Sequence, residues 1–170
     1  MKIQETKNES ASHTALIITI AIKAWEIQND RMNKTLERLT DEDLEREIAP
    51  GKNRGTYLLG HLTAVSDNLL PLFDLGERLY PQLENSFIKT PDKSGVEFPS
   101  TTELRKYWKE VNAKLSQQFN AMQPEEWFAR HTAVSEEDFA KEPHRNKLNV
   151  LLNRTAHQSY HLGQVVLLLK

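Results

Sequence analysis

The chain of 170 residues contains no cysteine. That absence removes disulfide frameworks, thiolate zinc fingers and a cysteine nucleophile together, and it leaves His, Asp and Glu as the available metal ligands. Any thiol chemistry would need a thiol supplied from outside. Neither sign of charge dominates either: 22 basic and 24 acidic side chains give a formal charge of -2. A nucleic-acid partner requires a basic stripe, and the most compact cluster is the short Arg105, Lys106 and Lys109 face, so nucleic acid is not expected as a partner. Long apolar runs are also missing. The longest, Ala15 to Ile22 broken by Thr19, falls far short of the roughly 20 residues of a membrane span. Residues 1–12 are polar and lack the basic start and small-residue cleavage site of a secretory signal, which predicts a flexible N-terminus on a cytoplasmic protein. The length suits a single domain over residues 1–170. Its core can hide roughly two-thirds of the unfolded surface, so a metal would serve function rather than folding.

Glycine is scarce, at six residues, and apolar positions recur at three and four, which predicts an all-α fold. The first helix is expected over about Thr14–Leu39, with Ile18, Ile22, Trp25, Met32, Leu36 and Leu39 on one face and Asn29 among them. Thr40 reads as the N-cap of a short helix that Pro50 and Gly51 terminate. A second helix from Arg54 or Thr56 carries Leu58, His61, Leu62, Val65 and Leu69 inward until Pro71 kinks or ends it. Pro81 to Pro99 reads mostly as a long loop, of the kind that often carries function. Ser100 and Glu103 form a capping box for a third helix, with Leu104, Trp108, Val111, Leu115 and Met122 inward. After an irregular segment from His131 to Arg145, the last helix, about Asn146–Lys170, is apolar around most of its circumference. That pattern predicts a central, buried helix. Four long helices joined by long connecting loops make a four-helix bundle.

The last helix holds the chemistry. His157 and His161 are one turn apart and displaced by only about 40° around the axis, so both imidazoles leave one face. Asn153, His157, His161 and Gln164 form a polar strip that must find partners inside a bundle. A divalent ion would satisfy it, and so would hydrogen bonds to a neighbouring helix or a Tyr160 and His pair in a polar layer. His61, in the G-H-L of helix two, is the third candidate, since it is the other His within a long helix; His13, His131 and His144 read as solvated. A zinc-protease reading fails, because Gln158 stands where the catalytic Glu would follow the first His.

These features together resemble the DinB-like (YfiT-like) superfamily of four-helix-bundle metalloenzymes: a long first helix, G-H-L in the second, a capped third, and H-x-x-x-H-x-G-Q in the fourth. The resemblance covers nearly the whole chain. It implies a metal triad of His61, His157 and His161, zinc or nickel as the ion with iron or manganese as further candidates, a homodimer, and transfer of low-molecular-weight thiols such as bacillithiol or mycothiol. Many relatives carry a further His where this chain has Asn153 and an Arg where it has Leu162, two positions that would touch or orient a substrate.

The sequence therefore predicts a metal-dependent enzyme acting on a small molecule, either a thiol S-transferase using an external thiol or a hydrolase using metal-activated water. Gln164 and Asn153 are candidates for orienting ligands or substrate, and Tyr160 for donating a proton. The competing expectation is a non-catalytic metal-stabilised bundle acting in stress response or as an interaction module. A fourth protein ligand such as Asp67 or a loop carboxylate would close its metal site.

Overall fold

The computed structural model describes residues 2–169, with side chains from His13 onward. Helix α1 runs over Lys2–Arg38, starting within the segment read as an N-terminal tail. Its buried positions, Ile18, Ile22, Trp25, Asn29, Met32 and Leu36, recur every three or four residues, which is the stripe a bundle needs. The C-terminal carbonyls of α1 do not go unpaired. Arg105 donates to Leu36 O at 2.7 Å and Leu39 O at 2.6 Å while its Nε donates to Asp41. One cation of the short basic face is thus a helix clamp.

Helix α2, Asp41–Glu45, starts on the Thr40 and Asp43 capping box. Helix α3, Gly55–Asp67, stops before the short α4, Leu69–Leu72. Pro71 explains the break, because its ring cannot follow an α-helical carbonyl at position 67 and it has no N–H to donate there. Helix α5, Thr101–Ala121, opens on the expected Ser100 and Glu103 box and buries Leu104, Trp108, Val111, Leu115 and Phe119. Short α6 (Pro124–Trp127) and α7 (Glu136–Lys141) lead to α8, Lys147–Val165, which a 3-10 turn extends over Val166–Leu168.

Four long helices, α1, α3, α5 and α8, form the bundle, and their directions explain its longest connection. Trp108 Nε1 donates to Asn33 at 2.9 Å, and Trp25 meets Phe119 at the far end, so α1 and α5 are antiparallel. Thr56 and Thr101, each at the start of its helix, lie side by side at 3.5 Å, so α3 and α5 are parallel. A chain that leaves the end of α3 must return the length of the bundle before it can enter α5. Residues 68–100 make that return. Within it residues 81–99 are mostly irregular, as expected, but a π-helical turn over Asn85–Lys89 drives Phe87 into the core, and Leu83 is buried beside it. Asp67, fully buried, holds the start of the return by accepting the N–H groups of Leu79 and Tyr80.

Helices α1 and α8 are parallel. Ile22 and Trp25 share one core cluster with Leu148 and Leu151, and Leu36 and Leu39 share another with Leu162 and Val165. Between the clusters the buried Gln158 donates to Asn29 at 2.8 Å, which satisfies two amides that would each be costly alone. The expectation of a fully central α8 is corrected. Leu152, Val166 and Leu167 are exposed, because the bundle covers one side of α8 and its apolar composition extends to the other. No helix among the described residues is long and apolar enough to cross a membrane.

Candidate metal centre

His61 on α3 faces His157 and His161 on α8, and the Nε2 atoms point at one another. His157 Nε2 lies 3.3 Å from His61 Nε2 and 3.1 Å from His161 Nε2, and all three candidate ligand atoms fall within 4.8 Å of one another. Three nitrogens held tetrahedrally at the usual zinc distance would be about 3.4 Å apart. The spacing therefore fits a single small ion.

The outward nitrogens fix the tautomers. His61 Nδ1 lies 2.8 Å from Phe87 O, and a backbone carbonyl can only accept, so Nδ1 carries the hydrogen and Nε2 presents a lone pair. His161 Nδ1 lies 2.7 Å from Gln164 Oε1, with the same consequence. Two lone pairs thus converge on His157 Nε2, whose single hydrogen could serve only one of them. A cation between the three rings resolves the conflict. Nδ1–H groups bound to a carbonyl or amide oxygen are also the usual way a protein orients ligating imidazoles. The buried Nδ1 of His157 has no such partner.

Electrostatics keep the two α8 rings in ligating form. Burial, reinforced by His161, His61 and Arg154, pushes the His157 pKa down to about 4. Burial also lowers that of His161, against the opposing bond from Gln164. Both are neutral near pH 7, as metal ligation requires.

Gly60, in the G-H-L run, explains how His61 is aimed. A Cβ at Gly60 would sit 2.3 Å from the Phe87 ring, so only glycine lets that ring pack against α3 and bring its carbonyl to His61. Tyr57 stacks parallel to the His61 ring at 6.3 Å and donates to Thr90 O at 2.9 Å, tying the return segment to the same helix. At the entry to α3, Asp92 accepts the Arg54 backbone N–H at 2.8 Å and its guanidinium at 2.7 Å. The Arg54 bonds outweigh the effect of burial and leave the Asp92 carboxyl below its ordinary range.

The remaining candidates are distributed differently. Asn153 is exposed and donates back to Asn149 O. Tyr160 is 64% exposed, its ring edge-on to His161 at 5.0 Å. Leu162 is buried in the core and does not face the triad. Asp67 offers no fourth ligand, since its carboxylate is held by Leu79 and Tyr80. No acidic group joins the three His among the described residues. His131, read as solvated, is instead half-buried, and burial lowers its pKa. A groove of about 480 Å³ between α1 and α5, lined by Asn29, Asn33 and Asn112, holds no His.

Two features escaped the sequence reading. Phe87 lay in a segment without periodicity, where burial leaves no local mark. Arg154 stands one turn before His157 and is half-buried, with its Nε hydrogen-bonded to nothing; its i, i+3 spacing to His157 was the signal available.

No curated protein matches the chain. Among solved structures, a conserved protein from Enterococcus faecalis is similar, with 14% identity, a TM-score of 0.59, and coverage of 89% of this chain and 95% of the other. At that identity the likeness concerns the fold. The model of the DinB superfamily matches residues 24–165, a span that includes all three histidines, and the chain belongs to that superfamily.

Proposed function

We propose that this protein is a metal-dependent enzyme that holds one divalent transition ion, zinc or nickel, on His61, His157 and His161. Its nucleophile comes from solution: a low-molecular-weight thiol in the leading reading, water in the second. The observation that carries the proposal is the convergence of three Nε2 atoms, two of them with fixed tautomers, with no Asp, Glu or fourth His joining them among the described residues. Structural zinc sites are closed by four protein ligands, whereas catalytic ones keep a position open. An ion held here supplies Lewis acidity, lowering the pKa of a thiol or water that reaches it. The chain's own work is to keep His157 and His161 neutral, to fix His61 through Phe87 O, and to fix His161 through Gln164. The lack of cysteine fits a thiol drawn from solution, which is abundant in the cytoplasm where we place the protein.

The experiment is conjugation of a thiol to an electrophile by the zinc- or nickel-loaded protein, with and without chelator. The expected result is turnover that needs metal, falls in His61→Ala, and stops on chelation before the helices melt. Hydrolysis of the same electrophile with thiol omitted would select the water reading. Loss of thermal stability on chelation, with neither reaction present, would favour the non-catalytic bundle.

The same reading includes a homodimer. Ile17, Ile20 and Ile27 on α1, Leu152 on α8 and Leu167 on the 3-10 turn that extends it are exposed on two adjacent parallel helices, an apolar surface of the kind that seeks a partner. Gly163 on the exposed side of α8 has open space around it, which suits close approach of a second backbone.

A further inference from the structure

Arg154 is a cation without an anion. Among the described residues no Asp or Glu pairs with it and no hydrogen bond engages it, although its Nε is buried. By contrast, Arg54, Arg78 and Arg105 each reach a carboxylate. Taking a guanidinium out of water without a partner is costly, and burial lowers the Arg154 pKa from its ordinary value. The group remains charged all the same, because arginine starts far above neutral pH.

Its location gives the charge a use. On α8, Arg154 is displaced around the axis by about 60° from His157, one turn away, and by about 20° from His161, two turns away. It shares their face, and its field is felt at His157. The anion this charge would meet is therefore one brought to the triad, which no carboxylate joins among the described residues. A single planar guanidinium with parallel N–H donors matches a carboxylate, which it can hold through two charge-assisted bonds.

Building on the metal reading above, we infer that Arg154 is the anion-binding residue of this site, selecting small molecules that carry a carboxylate near the group brought to the metal. It touches the substrate's anionic end and takes no part in ligating the ion. This makes the preferred substrate or thiol an acid rather than a neutral molecule.

The probes are mercaptoacetate and 2-mercaptoethanol, titrated into cobalt-loaded protein and followed by the sulfur-to-cobalt charge-transfer band. The parent should favour mercaptoacetate relative to the neutral thiol about tenfold more than Arg154→Met does, and Arg154→Lys should retain part of that preference. The cobalt spectrum of each variant reports whether its triad is intact. In the parent alone, rising salt should weaken mercaptoacetate and leave 2-mercaptoethanol nearly unchanged. An unchanged preference in Arg154→Met, or equal salt dependence for the two thiols, would overturn the inference while leaving the metal reading in place. Absence of any cobalt spectrum in the parent would overturn the metal reading and this inference with it.

Discussion

The Phe87 ring occupies the space where a side chain at Gly60 would begin, and the carbonyl of the same Phe87 accepts the hydrogen of His61 Nδ1 at 2.8 Å. One missing methyl group therefore sets the orientation of a proposed metal ligand on the neighbouring residue. In Gly60→Ala the new Cβ would meet a rigid ring, and relief requires the π-helical turn to withdraw. We expect a stability loss of about 1–3 kcal/mol from overpacking and zinc affinity reduced about 10- to 100-fold as His61 loses its partner. Urea unfolding and a competitive zinc titration measure the two effects. Unchanged zinc affinity would separate Phe87 from the site.

Gln164 makes the equivalent contact for His161. Gln164→Leu removes the acceptor at 2.7 Å and should lower zinc affinity about 10- to 100-fold with little change in helicity. Gln164→Glu keeps an acceptor and should retain binding. Equal affinity in Gln164→Leu and the parent would contradict the contact's role.

These two contacts mark the boundary of what the sequence made legible. The stripe Ile18, Ile22, Trp25, Met32 and Leu36 was readable because each residue's burial follows from its position on its own helix. The Thr40 and Ser100 caps were readable for the same reason: donor and acceptor lie three residues apart. His157 and His161 declared a shared face, and His61 followed from its place within a long helix. Phe87 was not readable, since its burial depends on a gap at Gly60 that only tertiary packing brings opposite. Nor did composition distinguish the two sides of α8, because leucines that face the core and leucines that face outward look alike. The long return segment becomes intelligible only once α3 and α5 are known to be parallel.

The metal-free protein should lose stability as the solution becomes acid. The folded His157 titrates near 4, below its ordinary value of 6.5, so between those values the unfolded chain binds the extra proton and the folded one does not. Stability from this group is complete above about pH 6.5 and declines as pH falls toward 4, by on the order of 2 kcal/mol once the full shift is discounted for solvent screening of a half-exposed ring. Denaturant unfolding of chelator-treated protein across that range, compared with His157→Ala, isolates the effect. A parent and variant with identical pH profiles would contradict it.

The proposed dimer can be disrupted without touching the core. Ile20→Glu places a charge on the exposed apolar face of α1 and should yield a folded monomer by light scattering. Gly163→Ala meets no atom of another element among the described residues, so in an isolated protomer it should stabilise α8 by about 1 kcal/mol. Lower stability at dimer-forming concentration would place a second backbone against Gly163. A parent that is monomeric at micromolar concentration would remove the proposal.

Whether His61, His157 and His161 hold one ion is tested by zinc binding at equilibrium, measured against a chromogenic chelator on untagged protein. One zinc per chain is expected in the parent. Affinity should fall by more than about 100-fold in His61→Ala, His157→Ala and His161→Ala alike, each with helicity retained. Equal zinc affinity in the parent and in all three variants would contradict a single ion held by these three residues.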